Sequence, residues 1–249
     1  MDLTYVIPIR HSSISRTNNL FVHLEYLSMI LPDMNVLVVE QDEQPAPVPI
    51  QVPHLFLFNN GLYNKGWGNN VAARELTSKV LAFADADVLT TKEAILQCYQ
   101  DCAEGYDVSS PYKELWMLTE QETTAFRNTM SFIPPKREPS RANLAGGTFF
   151  IRRESLGTVG GYDERMRGYG KEDPLLSIKV MKCLNYVYRS FNTWHMWHAK
   201  TALDTIGQPN FEKGNKVVFE EVSQWSKEQI LEHASQVNAT NGRRDKYEV

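Results

Sequence analysis

"KVLAFADADVLT", Lys79 to Thr90, decides how the chain is read. A short apolar run ends abruptly at two carboxylates, Asp85 and Asp87, set either side of one alanine, and then turns apolar again. A run of this length without polar alternation fits a strand buried on both faces of a parallel sheet. At the carboxyl end of such a strand, side chains enter the crevice where open α/β sheets bind ligands. In extended geometry residues i and i+2 point the same way, so both carboxylates could serve one hard cation, directly or through a water. The same aspartates also suit a β-turn in which they accept from backbone amides. D-x-D alone does not choose between the two.

Upstream, "LTYVIPI" (3–9), "NVLVVE" (35–40) and "HLFLFN" (54–59) are further apolar strand runs. A helical pattern with Leu20, Leu24, Leu27 and Leu31 separates the first two, and "KGWGNNVAARELTS" reads as a loop opening into a helix before Lys79. Downstream, "TKEAILQCYQDCAEG" fits a helix capped by Thr90 or Thr91 and ended near Gly105. Strands linked by helices predict an α/β chain with a mostly parallel central sheet flanked by helices. Residues 112–145, with "IPPKREPSRAN", read as an irregular, loop-rich zone, "GGTFFIRR" as a strand and "NYVYRSFNTWHMWHAK" as a strand running into an aromatic end. The tail from Glu220 carries one expected helix and a polar end, "NATNGRRDKYEV", expected to fray.

The 249 residues suit one elaborated domain, with 42% hydrophobic and 22% charged residues giving a large core. Lys plus Arg number 26 against 30 Asp plus Glu, a net charge of −4, which disfavours nucleic acid as a partner. Cys98, Cys102 and Cys183, an odd set, read as reduced thiols of a cytosol-like compartment rather than a disulfide framework or a zinc site. No signal peptide is evident and no run reaches the about 18 apolar residues of a membrane span, so the expectation is a cytoplasmic protein with at most peripheral membrane contact.

Two further stretches carry chemistry. In "GGYDERMRGYGKEDPLL" (160–176) an acidic pair, Glu172 and Asp173, stands at the start of a helix whose first turn is marked by Pro174. Such a pair can be dipole-complementing helix capping, or a general base beside a carboxylate that holds substrate. In "TWHMWHAK" (193–200), His195 and His198 are three apart among Trp194 and Trp197. The imidazoles could join carboxylates on a divalent cation with the tryptophans walling a sugar ring, or the group could be a buried aromatic cluster.

In order along the chain these pieces resemble a glycosyltransferase of the GT-A fold, family-2-like, in the branch of the β-1,4-galactosyltransferases and chondroitin polymerases. The matching pieces are "IPIR" (7–10), "NKGWGNN" (64–70), "DAD" (85–87), "GGTFF" (146–150), "GGYDE" (160–164), "GYGKED" (168–173) and a closing histidine. They span roughly residues 3 to 200. The resemblance implies a nucleotide-sugar-binding half over about 1–105, an acceptor and catalytic half over about 106–210, and a C-terminal extension over about 211–249.

It also implies an inverting transfer from a nucleotide-diphosphate sugar, a UDP-sugar favoured, to an acceptor hydroxyl of a glycan, aided by Mn²⁺ or Mg²⁺. By the same resemblance Pro8, Arg10, Glu40, Tyr63, Lys65, Asp85, Ala86, Asp87 and Gly147 face the nucleotide-sugar. Asp87 and His198 hold the metal with help from Asp85, with His195 as the alternative histidine. Tyr169, Glu172 and Trp116 bind the acceptor, and Asp173 is the catalytic base. Lys171 stands where the family often has glycine, a departure expected either to alter acceptor choice or to bring a positive charge toward the donor phosphates. The zone 112–145 and the loop 162–171 are candidate lids.

A nucleotidyltransferase acting on sugar phosphates would also place acids at strand ends, but "PIRHSSISRTNN" (8–19) lacks the glycine-rich phosphate loop expected of one. An inert sugar-nucleotide or carbohydrate-binding protein is the other alternative, disfavoured by the intact set Asp85, Asp87, Asp173 and His198.

Overall fold

The computed structural model describes residues 1–47, 50–168, 170–199 and 211–247. Its first half alternates strands and helices: β1 (Leu3–Ile9), α1 (Ile14–Ile30), β2 (Asn35–Asp42), β3 (His54–Phe58), α2 (Lys65–Glu75), β4 (Val80–Ala84), β5 (Val88–Thr90) and α3 (Lys92–Glu104). There follow β6 (Val108–Ser110), β7 (Glu114–Met117), α4 (Glu120–Thr129), β8 (Ser140–Arg141), β9 (Thr148–Arg152), α5 (Arg153–Thr158), α6 (Glu172–Cys183), β10 (Tyr186–Tyr188), β11 (Thr193–His195), α7 (Lys216–Ser223) and α8 (Lys227–Val237).

Seven strands form the central sheet in the order β10-β6-β9-β4-β1-β2-β3. The four strands β3, β2, β1 and β4 are parallel neighbours, while β9 runs antiparallel to both β4 and β6, so the sheet is mixed. Strand β1 shows why its sequence is apolar without alternation. Tyr5 and Ile7 pack with Leu20 and Leu27 of α1 and with Ile95 and Cys98 of α3, whereas Val6 packs with Trp67 and Val71 of α2 on the other face. Each face is a core, so each residue of the strand is buried, at about 1.5–3 kcal/mol per large side chain.

A second sheet, β5-β11-β7-β8, stands beside the first. It arises because the chain leaves the central sheet at Asp85 and enters β5 three residues later. It also reveals order the sequence reading missed. The zone 112–145 contains β7, β8 and the helix α4, started by a capping box in which Thr119 and Glu122 satisfy each other's backbone amides. The segment expected as one strand near 186–195 splits into β10 and β11, which belong to different sheets.

The tail from Glu220 holds one whole α-helix, α8, after the last turn of α7, but its polar end docks instead of fraying. Tyr247 packs edge-on against Trp67, whose indole N–H donates to the Arg243 carbonyl, and Lys246 pairs with the buried Glu164. Among the described residues no helix is long and apolar enough to cross a membrane.

Candidate active site

Asp85 and Asp87 lie in a turn, not in an extended strand end. The Val88 amide donates to the Asp85 carbonyl, and the Asp85 amide donates to the Gly147 carbonyl. The turn and site readings are therefore both part of the answer, because the turn sends the two carboxylates in different directions.

Asp87 is buried, 4% exposed, and faces two imidazoles. His195 Nε2 is 3.6 Å from Asp87 Oδ1, and His198 Nε2 is 3.4 Å from Asp87 Oδ2. These three side chains offer ligand atoms within 4.8 Å of one another. Pairing of β11 with β5 sets His195 opposite Val88, and the Met196 amide donates to the Asp87 carbonyl, so backbone hydrogen bonds hold the triad together. Burial alone would raise the Asp87 pKa, but His195, His198 and Arg16 around it hold it below the usual carboxylate value. An ionised oxygen donor with two imidazoles suits a divalent cation of borderline softness. Both histidines join Asp87, where the sequence reading offered one or the other.

Asp85 turns instead to Lys65. Lys65 Nζ lies 2.6 Å from Asp85 Oδ1 and 3.0 Å from each carboxylate oxygen of Asp173. Burial works against the charged ammonium, yet Asp173 and Asp85 outweigh it and hold Lys65 protonated. Asp173 is pushed up to about 7, first by burial and then by Glu172 and Asp85, with Lys65 pulling the other way. A carboxylate poised near neutrality is suited to take a proton. Glu172 is raised too, chiefly by burial, and one of its oxygens is buried without a protein partner.

Asp173 reaches this place because α6 begins at Glu172 after a left-handed residue, Lys171, with φ +76°. A left-handed backbone of this kind is one that glycine adopts most easily. Lys171 Nζ sits over the Phe219 ring, 4.8 Å from its centroid, so its charge is directed to α7 and not to the donor side as expected. Lys65 is delivered by α2, which is helical from Lys65 onward where the sequence suggested a loop first: Asn64 caps it by accepting from the Trp67 amide. Asn64 and Asn70 of "NKGWGNN" both clamp the 162–164 turn, donating to the Glu164 and Tyr162 carbonyls. The two asparagines thus fasten the loop that precedes Asp173 to the helix that carries Lys65.

A cavity of about 490 Å³ joins these groups. Pro8, Arg10, Tyr63, Lys65, Asp85, Ala86, Asp87, Glu172, Asp173, His195 and His198 all line it. Arg10 is held by three carbonyls, those of Gln41, Asn59 and Gly61, so it braces the rim as well as facing the space. Three expected residues do not line it. Glu40 is 1% exposed, bonded to the Ala46 amide and 2.7 Å from His54 Nε2. Gly147, at φ +69°, leaves to the Tyr112 hydroxyl the space a side chain would fill. Trp116 faces a different cavity. Tyr169 lies outside the described residues.

Trp194 is core, stacked on Phe132 at 3.4 Å between ring centroids. Of the tryptophan pair it is therefore no wall for a sugar. Two contributors were missed. Arg16 lines the cavity with Nη1 3.8 Å from Asp87 Oδ2, and His23 is wholly buried against Tyr5. Only Arg16 left a signal: it stands one turn after the cap Ser13, so the start of α1 faces the same space.

No protein-family model and no curated sequence matches the chain. Solved structures do match. GalNAc-T7 with UDP, GalNAc and Mn²⁺ superposes with a TM-score of 0.64 at 13% identity, covering 92% of this chain and 49% of that one, so this chain spans about half its length. A Drosophila β1,4-galactosyltransferase 7 complex with manganese, UDP-Gal and xylobiose gives 0.55 at 13%, covering 90% and 79%. S. aureus TarS gives 0.58 at 13%, covering 98% and 72%. Likeness at these identities is likeness of fold, and the chain has the GT-A fold of these glycosyltransferases.

Proposed function

We propose that this chain is a metal-dependent, inverting glycosyltransferase that moves a hexosyl group from a UDP-sugar to a hydroxyl of a glycan. The observation that carries the reading is one cavity holding both the Asp87–His195–His198 triad and the Lys65–Asp173 pair. The matching structures with UDP, UDP-sugars and manganese support the donor and the metal.

Asp87, His195 and His198 would hold Mn²⁺ or Mg²⁺, which supplies electrostatic stabilisation of the departing diphosphate. Arg16 and Lys65 add positive charge to the same wall. Asp173 takes the proton of the acceptor hydroxyl as its oxygen attacks the anomeric carbon from the face opposite the diphosphate. The new glycosidic bond forms, the bond from that carbon to the phosphate oxygen breaks, and its electron pair leaves with the nucleotide. General-base help of this kind is worth about 10²- to 10⁴-fold in rate. Glu172, at the base's side, receives the acceptor. The cytoplasmic location expected from the odd set of three cysteines is kept as part of this proposal.

The test is a panel of UDP- and GDP-sugars assayed with Mn²⁺ for hydrolysis and for transfer. UDP release from at least one UDP-sugar is expected, stopped by a chelator. Asp173→Asn should abolish transfer while calorimetry shows UDP binding intact. Turnover that survives the chelator or the Asp173→Asn change would overturn the reading.

A further inference from the structure

Strand β7 has a cavity on each side. Met117 lines the catalytic cavity, and Trp116, one residue earlier and therefore on the opposite face, lines a second, open cavity of about 550 Å³. This cavity lies between the β7–β8 pair and the β10–β11 connection. Three aromatic side chains, Trp116, Tyr188 and Phe191, share its wall with two cations, Lys113 and Arg141, and the amide of Asn192.

Lys113 and Arg141 are exposed and Trp116 half-buried, so their polar groups face the open cavity rather than one another. Among the described residues the Trp116 indole N–H has no hydrogen-bond partner, and its ring meets no other aromatic ring. Lys113 and Arg141 make no ion pair within 4.0 Å among the described residues, although the chain carries an excess of carboxylates. Glu114 stands opposite Arg141 in the β7–β8 pairing and lines the same space, yet closes no ion pair with it. Lys113 Nζ lies 5.9 Å from the Tyr188 ring centroid.

We propose that this second cavity binds an acidic oligosaccharide. Aromatic faces with a free polar edge suit pyranose rings, which present C–H faces and hydroxyl rims. Arg141 and Lys113 suit carboxylate or phosphate groups on the same sugars. The cavity is open and offers no closed apolar pocket for a peptide anchor, and the net negative chain disfavours nucleic acid. Because one sheet separates this cavity from the catalytic one, it is placed to hold the body of a polymeric acceptor. That last role rests on the transferase reading; the binding itself does not.

Binding is therefore measured apart from activity, by calorimetry and tryptophan fluorescence on the full chain. The ligands are tetragalacturonate, a phosphorylated tetrasaccharide, neutral cellotetraose and inorganic phosphate. Saturable binding of at least one acidic tetrasaccharide is expected, about tenfold or more tighter than cellotetraose or phosphate. Arg141→Ser and Trp116→Ala should each weaken it by about tenfold, and UDP with Mn²⁺ should not compete. Arg141 is exposed, so its variant decides the matter if Trp116→Ala fails to fold, and UDP-sugar hydrolysis by Arg141→Ser should match the wild type. Absence of acidic binding, equal binding of cellotetraose, indifference to Arg141→Ser, or competition by UDP would overturn the proposal. Loss of UDP-sugar hydrolysis in the wild type would instead count against the transferase reading alone.

Discussion

Replacing Lys65 by methionine removes the single ammonium set among three carboxylates while keeping most of the side-chain volume. In the wild type that ammonium donates to both oxygens of Asp173 at 3.0 Å, and Asp173 titrates at about 7. A hydrogen bond to a charged group is worth about 1.5–3 kcal/mol, and one pKa unit is about 1.4 kcal/mol, so Asp173 should rise by about 1–2 units. At pH 7 the ionised fraction then falls from about half to between about 1% and 10%. The kcat for transfer should drop by about 5- to 50-fold at pH 7 and recover toward pH 9, its ascending limb displaced by the same 1–2 units.

Titration of the Asp173 carboxyl by carbon NMR checks the shift without any substrate. The sign for stability follows from the same shift. The folded pKa lies above the unfolded value of about 3.9, so the native state keeps the extra proton, and stability falls as pH rises from about 4 to about 8. The reasoning fails if the Asp173 titration and the rate limb stay where they were, because Lys65 would then not govern the base.

Mn²⁺ titration by electron paramagnetic resonance should show His195→Ala, His198→Ala and Asp87→Asn each weakening the ion by about tenfold or more, and Asp85→Asn weakening it less. Equal losses at Asp85 and Asp87 would return Asp85 to the metal. Burial holds His23 down at about 4, below its unfolded value of about 6.5, so its stability contribution is lost as pH falls through that window. Urea unfolding at pH 7.5 and 5 should show the wild type losing about 2 kcal/mol more than His23→Phe, and parallel losses would refute the buried neutral imidazole. Stopping the chain after Asn241 strips Lys246 and the Gly242 amide from the buried Glu164 and Tyr247 from Trp67. Thermal unfolding should reveal a loss of about 3 kcal/mol or more, and an unchanged midpoint would mean the tail is a passive appendage.

Much of this protein was legible before any coordinates. The apolar runs 3–9, 35–40 and 80–84 betray strands because both faces of the sheet are cores, and Gly105 and Thr91 mark the ends of α3 because backbone groups at helix termini demand them. Local chemistry of that kind is written in neighbouring residues. The antiparallel sense of β9, the second sheet and the docking of residues 242–247 were not legible, since they depend on partners up to 183 residues apart, as Asn64 and Tyr247 are.

The candidate site divides along the same line. Residue types marked "DAD", "KED" and "HMWH" as candidates, each with a structural use as its alternative, and only their combination in order along the chain favoured chemistry. Only the tertiary structure decided which carboxylate meets which partner. A turn at 85–88 aims Asp87 at two histidines and Asp85 at Lys65, and strand alternation turns Trp116 away from the cavity that Met117 faces. Spacing along a chain specifies which side chains can share a face; the direction in which a turn points them is set by hydrogen bonds to strands far away in sequence.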